Sequence, residues 1–411
     1  MLEDTIRQLL VQIRANALAP LLEQYIAYLV SRGNAASTLR EYVSAVEHFG
    51  RWLRRRPLDR ATVWQFMHRH LPVCRCRRPV NRDAAQCRLA LDHLLKMSGA
   101  VAPRSKFPPG FVGDLLRRYE ERLVTVQGLA AGTVHRQLTT ARTMLTRLRI
   151  QRPCQLLTWT PERIERYVCS EARYYQPSSA HNIACATRAL LRFLLQEGLI
   201  RRDLSAAVPT FANWRLAALP ETLRAEEVVR LINMPDVRTA IGLRDRAMLL
   251  CMSELGLRAS EVASLELDGV NFTANVLQLR RSKKRESTLL PMTRRLSGAL
   301  KAYLRHGRPT CTSQQVFVTH QPPVGKPIQP GRVSNMVWSL GRRSGLQGQI
   351  SAHVLRHSVA SRMLSAGASL KRIADLLGHQ SIDTTTIYAK VDLNALSQVA
   401  LPWPGAKEVQ P

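Results

Sequence analysis

The chain has 411 residues, 45% of them apolar, enough for two or three domains that each bury a core and too many for a disordered polyelectrolyte. Sixty Lys and Arg against thirty Asp and Glu leave a formal charge of +30 and a pI near 11.0, a field that calls for a polyanion as partner. Nucleic acid ranks first; an anionic membrane surface ranks well below it, because that would need one basic amphipathic helix or a lipidation signal, and the arginines are spread over the whole chain.

No apolar run approaches the ~18 residues of a membrane span, and MLEDTIRQLL is too acidic for a signal peptide. A cytoplasmic protein is expected. Its eight irregularly spaced cysteines then read as reduced thiols and not as a disulfide framework.

From the N-terminus, helical periodicity runs through most of the first 210 residues, and one pattern occurs twice. LLEQYIAYLVSRGNAASTLREYVSAVEHFGRWL (21 to 53) lies over LLRRYEERLVTVQGLAAGTVHRQLTTARTMLTRL (115 to 148). Tyr25 matches Tyr119, Leu29 matches Leu123, Gly33 matches Gly128, Thr38 matches Thr133 and Leu53 matches Leu148, with one residue of slippage. Each copy closes on a further apolar helix followed by Gly, HLLKMSG and FLLQEG, so the repeating unit is about a hundred residues. Two similar helical domains in tandem are expected, 1–101 and 110–206, joined by the Pro-rich APRSKFPPG. A second linker spans about 206–220, and a third domain runs from 215 to 411.

Within the first copy, Arg51, Arg54 and Arg55 form a basic run that suits DNA phosphates, although such runs are more often solvated faces. HRHLPVCRC then packs His68, His70, Cys74 and Cys76 into nine residues. Two imidazoles and two thiolates can close a tetrahedral zinc site, but H-x-H and C-x-C are not the usual C-x-x-C spacing. The flanking Arg69, Arg75, Arg77 and Arg78 favour a loop that contacts a DNA backbone, so no metal is expected.

In the third domain NVLQLRRSKKRESTLLPM (275 to 292) reads as a β-hairpin with a basic tip, Leu277 and Leu279 alternating with Val276, Gln278 and Arg280. Arg280, Arg281, Lys284 and Arg285 are its candidate DNA contacts. In HVLRH, His353 and Arg356 lie three apart and share one helical face, while Leu355, Val359 and Met363 form another, apolar one. SLKRIADLLG predicts a helix with Ser369 as N-cap and Gly378 as the residue after its end. His379 therefore follows a helix stop, and Asp383 or Thr384 can cap a short element that carries Tyr388.

Each feature alone is common, but together they describe a phosphoryl-transfer site. A phosphodiester under attack gathers charge on its non-bridging oxygens, which an Arg fork binds in pairs and His donors can support. A Tyr hydroxyl with its ordinary pKa of about 10 attacks only where cations and a proton acceptor surround it. Such chemistry needs no metal and no cofactor, and GKPIQP lacks the residues of a P-loop.

GLRASEVASLELD, the hairpin with SKKRESTLLPM, HVLRH and LLGHQSIDTTTIY resemble, in order and spacing, the tyrosine recombinases or phage integrases. The resemblance covers about 220–392 well, and residues 110–206 look like the core-binding domain of that family. It implies a mainly α fold with a small β-hairpin sheet, tandem helical DNA-binding domains and a C-terminal catalytic domain. It places Arg258 and Arg356 on the scissile phosphate, His353 at the proton of the nucleophile, His379 on a phosphate oxygen and Tyr388 as nucleophile. Lys283 matches the general acid, with Lys284 as the alternative register; Glu261 matches a structural hydrogen-bonder and His357 a supporting position. The activity implied is strand cleavage through a 3′-phosphotyrosyl link, for integration or transposition of a mobile element. A homo-tetramer on two duplex sites follows, with the catalytic and core-binding domains closing around double-stranded DNA. Leu393, Leu396 and Leu401 would pack into a neighbour, and partner recombinases stay open. Type IB topoisomerase-like relaxation, resolution of chromosome dimers and a non-catalytic DNA-binding protein are the alternatives.

Overall fold

A computed structural model describes residues 2–12, 18–76, 80–100, 107–212, 220–280, 287–348, 350–378, 385, 387 and 388. It divides into two compact units, Met1–Ala100 with Ala218–Pro411, and Val101–Ala217.

The N-terminal part of the first unit holds α1 (Leu2–Gln12), α2 (Ala19–Ser31), α3 (Ala36–Leu53), α4 (Arg60–Gln65) and α5 (Ala84–Met97). Short acidic side chains start the last two: Asp59 accepts from Thr62 N (2.7 Å) and Asp83 from Gln86 N (2.8 Å), satisfying amides a helix leaves open. Leu22, Tyr25, Ile26 and Leu29 of α2 pack on Leu39, Val43, Val46 and Phe49 of α3 and on Leu91 and Leu94 of α5. The buried Tyr25 hydroxyl donates to Ala90 O (3.1 Å).

The second unit holds α6 (Phe111–Glu121), α7 (Ala131–Arg147), α8 (Pro161–Ala172) and α9 (Pro177–Gln196) around Leu115, Tyr119, Leu123, Leu145 and Phe193. Several positions matched in the sequence to α2 and α3 share their burial and turns. Tyr25 and Tyr119 are both fully buried, as are Leu29 and Leu123, and Gly33 and Gly128 both turn the chain with positive φ (73° and 58°). The slipped residue has a physical cause: α6 continues into a π-helical turn at Arg122–Val126, whose wider hydrogen-bonding ring takes up one extra residue between Leu123 and Gly128.

The C-terminal part of the first unit opens with α10 (Ala225–Asn233), α11 (Ala240–Leu255) and α12 (Ala259–Ala263). A three-stranded antiparallel sheet follows, β1 (Val270–Asn271), β2 (Val276–Arg280) and β3 (Ser287–Pro291), in the order β1-β2-β3. The hairpin read from the sequence pairs Val276 with Pro291 and Arg280 with Ser287, which turns Leu277, Leu279 and Leu290 into the core and leaves Leu289 outside. The tip, 281–286, lies outside the described residues. The chain continues through α13 (Arg294–Ala302), α14 (Pro330–Arg343), α15 (Ala352–Ser365) and α16 (Leu370–Leu377). Val324 N donates to Arg32 O (3.0 Å), a bond between the two parts of this unit. Among the described residues no helix is long and apolar enough to cross a membrane.

Two glycine stops set up the site. Gly256 ends α11 and Gly378 ends α16, both left-handed (φ 66° and 62°), and a Cβ on Gly256 would lie 2.5 Å from Leu377 Cδ2. Gly256→Ala is therefore expected to strain the backbone and push the two helix ends apart. A loss of about 1–3 kcal/mol, read as a lowered urea or thermal midpoint, is expected.

Candidate active site

Helix α15 starts where the Ser351 hydroxyl accepts Val354 N (3.3 Å), which fixes the phase of the residues behind it. His353, Arg356, His357 and Ala360 then fall on one face at three- and four-residue steps. Arg356 is buried to 6% exposure. Its Nη1 donates to Gly256 O (2.6 Å) and its Nη2 to Leu377 O (2.5 Å), so one guanidinium binds the carbonyl ends of α11 and α16. A cation at helix C-termini meets both unpaired carbonyls and the negative end of the helix dipole, which offsets its loss of hydration.

Arg258 stands at the N-cap of α12, one turn of chain beyond Gly256. Glu261 fixes it twice, taking Arg258 N on Oε2 (2.8 Å) and Arg258 Nη1 on Oε1 (2.9 Å). The same carboxylate lies 4.0 Å from Arg356 Nη1, so one acid stands beside both arginines. The Arg258 side chain keeps 36% exposure and can meet a ligand, whereas Arg356 is buried on two helix ends.

Tyr388 is almost fully buried, in a small cluster with Ala360, Ile373 and Leu377. Its hydroxyl lies 2.8 Å from His357 Nδ1, and its backbone N–H donates to Thr385 O (3.0 Å). Burial pushes the phenol pKa up, against the opposing pull of Arg356 and Arg258. Burial of the His357 ring, then His353 and Arg356, holds that imidazole below its usual range. His353 sits on the exposed side of α15; the part of its ring turned to the protein, with Arg356 and Arg258 nearby, lowers it likewise. Both shifts favour the neutral ring, and an imidazole with its Nδ1 lone pair toward the phenol can accept that proton.

Of the residues expected at the site, the structure brings together Arg258, Arg356, His353 and Tyr388. His379, Lys283 and Lys284 lie outside the described residues, as do Arg281 and Arg285, the caps proposed at Asp383 and Thr384, and the tail leucines. Arg280 is described only as backbone of β2. At the phenol itself stands His357, and His353 is one turn away; the four-residue step from His353 in HVLRH was the only local sign of this. In the N-terminal part Arg51 pairs with Glu47 (3.6 Å), while Arg54, at φ 47°, and Arg55 are exposed past the end of α3.

The donor set expected from HRHLPVCRC needs correction. His68 turns away, with Nδ1 on Trp64 O (3.0 Å) and its ring stacked on Trp64, because residues two apart on a helical turn project to nearly opposite sides. His48 of α3 takes its place beside His70, Cys74 and Cys76.

A tyrosine hydroxyl set against an imidazole, beside two arginines that share one glutamate, defines an enzyme that transfers a phosphoryl group through tyrosine. The model of the phage integrase family matches residues 221–394. The "Putative integrase/recombinase y4rA" of Sinorhizobium fredii is 32% identical over 388 residues, 93% of each chain. The tyrosine recombinase XerD of Lacticaseibacillus casei is 34% identical over 217 residues, 52% of this chain and 72% of that one. Among solved structures, a lambda integrase tetramer bound to a Holliday junction shares the fold at TM-score 0.53 and 18% identity, over 77% of this chain and 88% of that one. The chain belongs to the phage integrase family, the tyrosine recombinases, enzymes that cut and rejoin DNA strands without ATP.

Arg356→Lys keeps the charge but cannot span two carbonyls with one planar fork. It is expected to lower the apparent unfolding free energy by about 1–3 kcal/mol in urea denaturation. An unchanged midpoint would show that the two bonds do not hold the helix ends together.

Proposed function

We propose that this chain integrates or transposes a mobile DNA element, with Tyr388 as nucleophile. The observation that carries the proposal is the 2.8 Å contact between the Tyr388 hydroxyl and His357 Nδ1, next to Arg356 and Arg258. The phenol oxygen forms a bond to the scissile phosphorus and passes its proton to His357, with His353 as the neighbouring imidazole. The bond from phosphorus to the 5′ oxygen breaks, and that oxygen takes its proton from Lys283. Arg258, Arg356 and His379 hold the non-bridging oxygens. A 5′ hydroxyl from a second duplex then attacks the 3′-phosphotyrosyl link, so the energy of the broken bond is kept and ATP is not required.

A mobile-element role is favoured by the match to an integrase/recombinase over 93% of this chain, whereas the XerD match spans only 52% of it. We further propose three domains, 1–101, 110–206 and 215–411, the first a duplicate of the second. Support comes from the matched Tyr, Leu and Gly positions and from the separate cores of the two helix sets. Double-stranded DNA is the partner, held through phosphate contacts by Arg51, Arg54, Arg55 and the hairpin tip, and the charge of +30 makes that binding fall steeply with salt. A homo-tetramer on two sites is proposed from the tetrameric state of the lambda integrase neighbour. A cytoplasmic location fits eight cysteines that are all unpaired.

A nicked duplex carrying the element's end sequence traps the covalent step. Wild type is expected to become attached to it, and Tyr388→Phe to bind without attachment; an adduct on the Phe variant would remove Tyr388 from the role.

The pH dependence carries a sign. His357 must be neutral to accept the proton, and its pKa is depressed. The rate of adduct formation should hold through pH 7 and fall only below the ordinary imidazole value of about 6.5, as the ring protonates. His357→Ala should lower the plateau about 100-fold or more and remove this acid limb; a limb that survives unchanged belongs to another group.

A further inference from the structure

The corrected donor set in the N-terminal helical part stands apart from the chemistry at Tyr388. His48 comes from α3, His70 from the π-helical turn Phe66–His70 that continues α4, and Cys74 and Cys76 from the loop that follows. One ligand atom from each lies within 4.8 Å of all the others. His48 Nε2 is 3.2 Å from His70 Nε2 and 3.2 Å from Cys74 Sγ, and Cys76 Sγ is 3.5 Å from His70 Nε2. Around a tetrahedral zinc with Zn–N of about 2.0–2.1 Å and Zn–S of about 2.3 Å, neighbouring donors stand roughly 3.3–3.8 Å apart. The side chains are already close to that spacing.

The surroundings fix the ligands. His48 Nδ1 lies 2.8 Å from Asn81 O, and a carbonyl can only accept, so Nδ1 carries the proton and Nε2 turns its lone pair toward His70 and Cys74. Asn81 is held in turn by bonds from its amide to Glu41 O (3.1 Å) and Gln86 Oε1 (2.8 Å). A histidine whose second nitrogen is tied to a backbone carbonyl is the usual support of a zinc ligand. The two Nε2 atoms at 3.2 Å would repel as lone pairs without a cation or proton between them, and Cys76 N–H points at Cys74 Sγ (3.4 Å), as it would to a thiolate. Phe66 stands against both rings at 5.1 and 5.3 Å and Trp52 against His70 at 5.7 Å, leaving them little room to turn.

We propose that His48, His70, Cys74 and Cys76 bind one structural Zn²⁺ ion that closes the loop between α4 and α5 onto α3. Four protein donors complete the tetrahedron and leave no position for a substrate, so the ion serves the fold and not the reaction. Two thiolates balance its charge, which suits a loop whose Arg82 already donates to Cys76 O (2.8 Å). Such an ion would hold the loop next to α3 in one arrangement.

The test uses the full chain, purified without chelator and exchanged into metal-free buffer. Elemental analysis should find one zinc per chain, released on titration of the thiols. Replacement by Co²⁺ should give the visible absorption of a tetrahedral ion with thiolate charge transfer. Cys74→Ser, Cys76→Ser and His48→Gln should each lose the metal, while His68→Ala should keep it. Should a ligand variant fail to fold, the wild-type cobalt spectrum still decides. Zinc well below one per chain together with an octahedral cobalt spectrum, or a Cys74–Cys76 disulfide in the unreduced protein, would overturn the proposal. So would equal loss of metal in His68→Ala and Cys74→Ser.

Discussion

The Arg356 guanidinium, out of solvent between Gly256 O and Leu377 O, is the interaction on which the rest of the site depends. A buried cation is tolerable only where acceptors replace its water, and helix C-termini supply carbonyls that have no partner within their own helix. Both helices end on left-handed glycines, so each carbonyl is turned out toward α15. By holding these ends, Arg356 also sets where the chain resumes after α11, with Arg258 two residues past the Gly256 stop. The buried Arg356 charge is therefore what gathers the two helix ends beside Arg258.

Tyr388 lies under an opposing constraint. A phenol in an apolar cluster is a weaker acid than one in water, and burial outweighs the two arginines in the resting chain. Among the described residues its hydroxyl meets the His357 imidazole, whose burial lowers its pKa and favours the neutral ring, a suitable acceptor but a modest one. The Tyr388 hydroxyl is thus satisfied and its ring shielded in the resting chain. Bringing that hydroxyl out to a ligand would cost the burial of one aromatic side chain.

The two helix sets carry the same lesson at the level of the backbone. One inserted residue between Leu123 and Gly128 does not shift the buried face of α6, because a π-helical turn absorbs it. The π-helical turn at Phe66–His70 likewise leads His70 to His48 while His68 stacks outward on Trp64.

Whatever depends on a few consecutive residues could be read before any coordinates. The caps at Ser369 and Gly378, the inward leucines of the hairpin, the repeat anchored on Tyr25 and Tyr119, and the shared face of His353 and Arg356 all follow from fixed helical and strand periods. Contacts between distant segments carry no such period. His48 joins Cys74 across 26 residues, Arg356 reaches Gly256 O across 100, and His357 meets Tyr388 across 31. Backbone carbonyls, moreover, are the same at every residue, so no side-chain pattern announces which of them will be acceptors. The sequence by itself determined the family and the helical frame; only the packing of helix ends decided which imidazole stands at the Tyr388 phenol and which histidine joins His70, Cys74 and Cys76, because those depend on where separate helices come to rest.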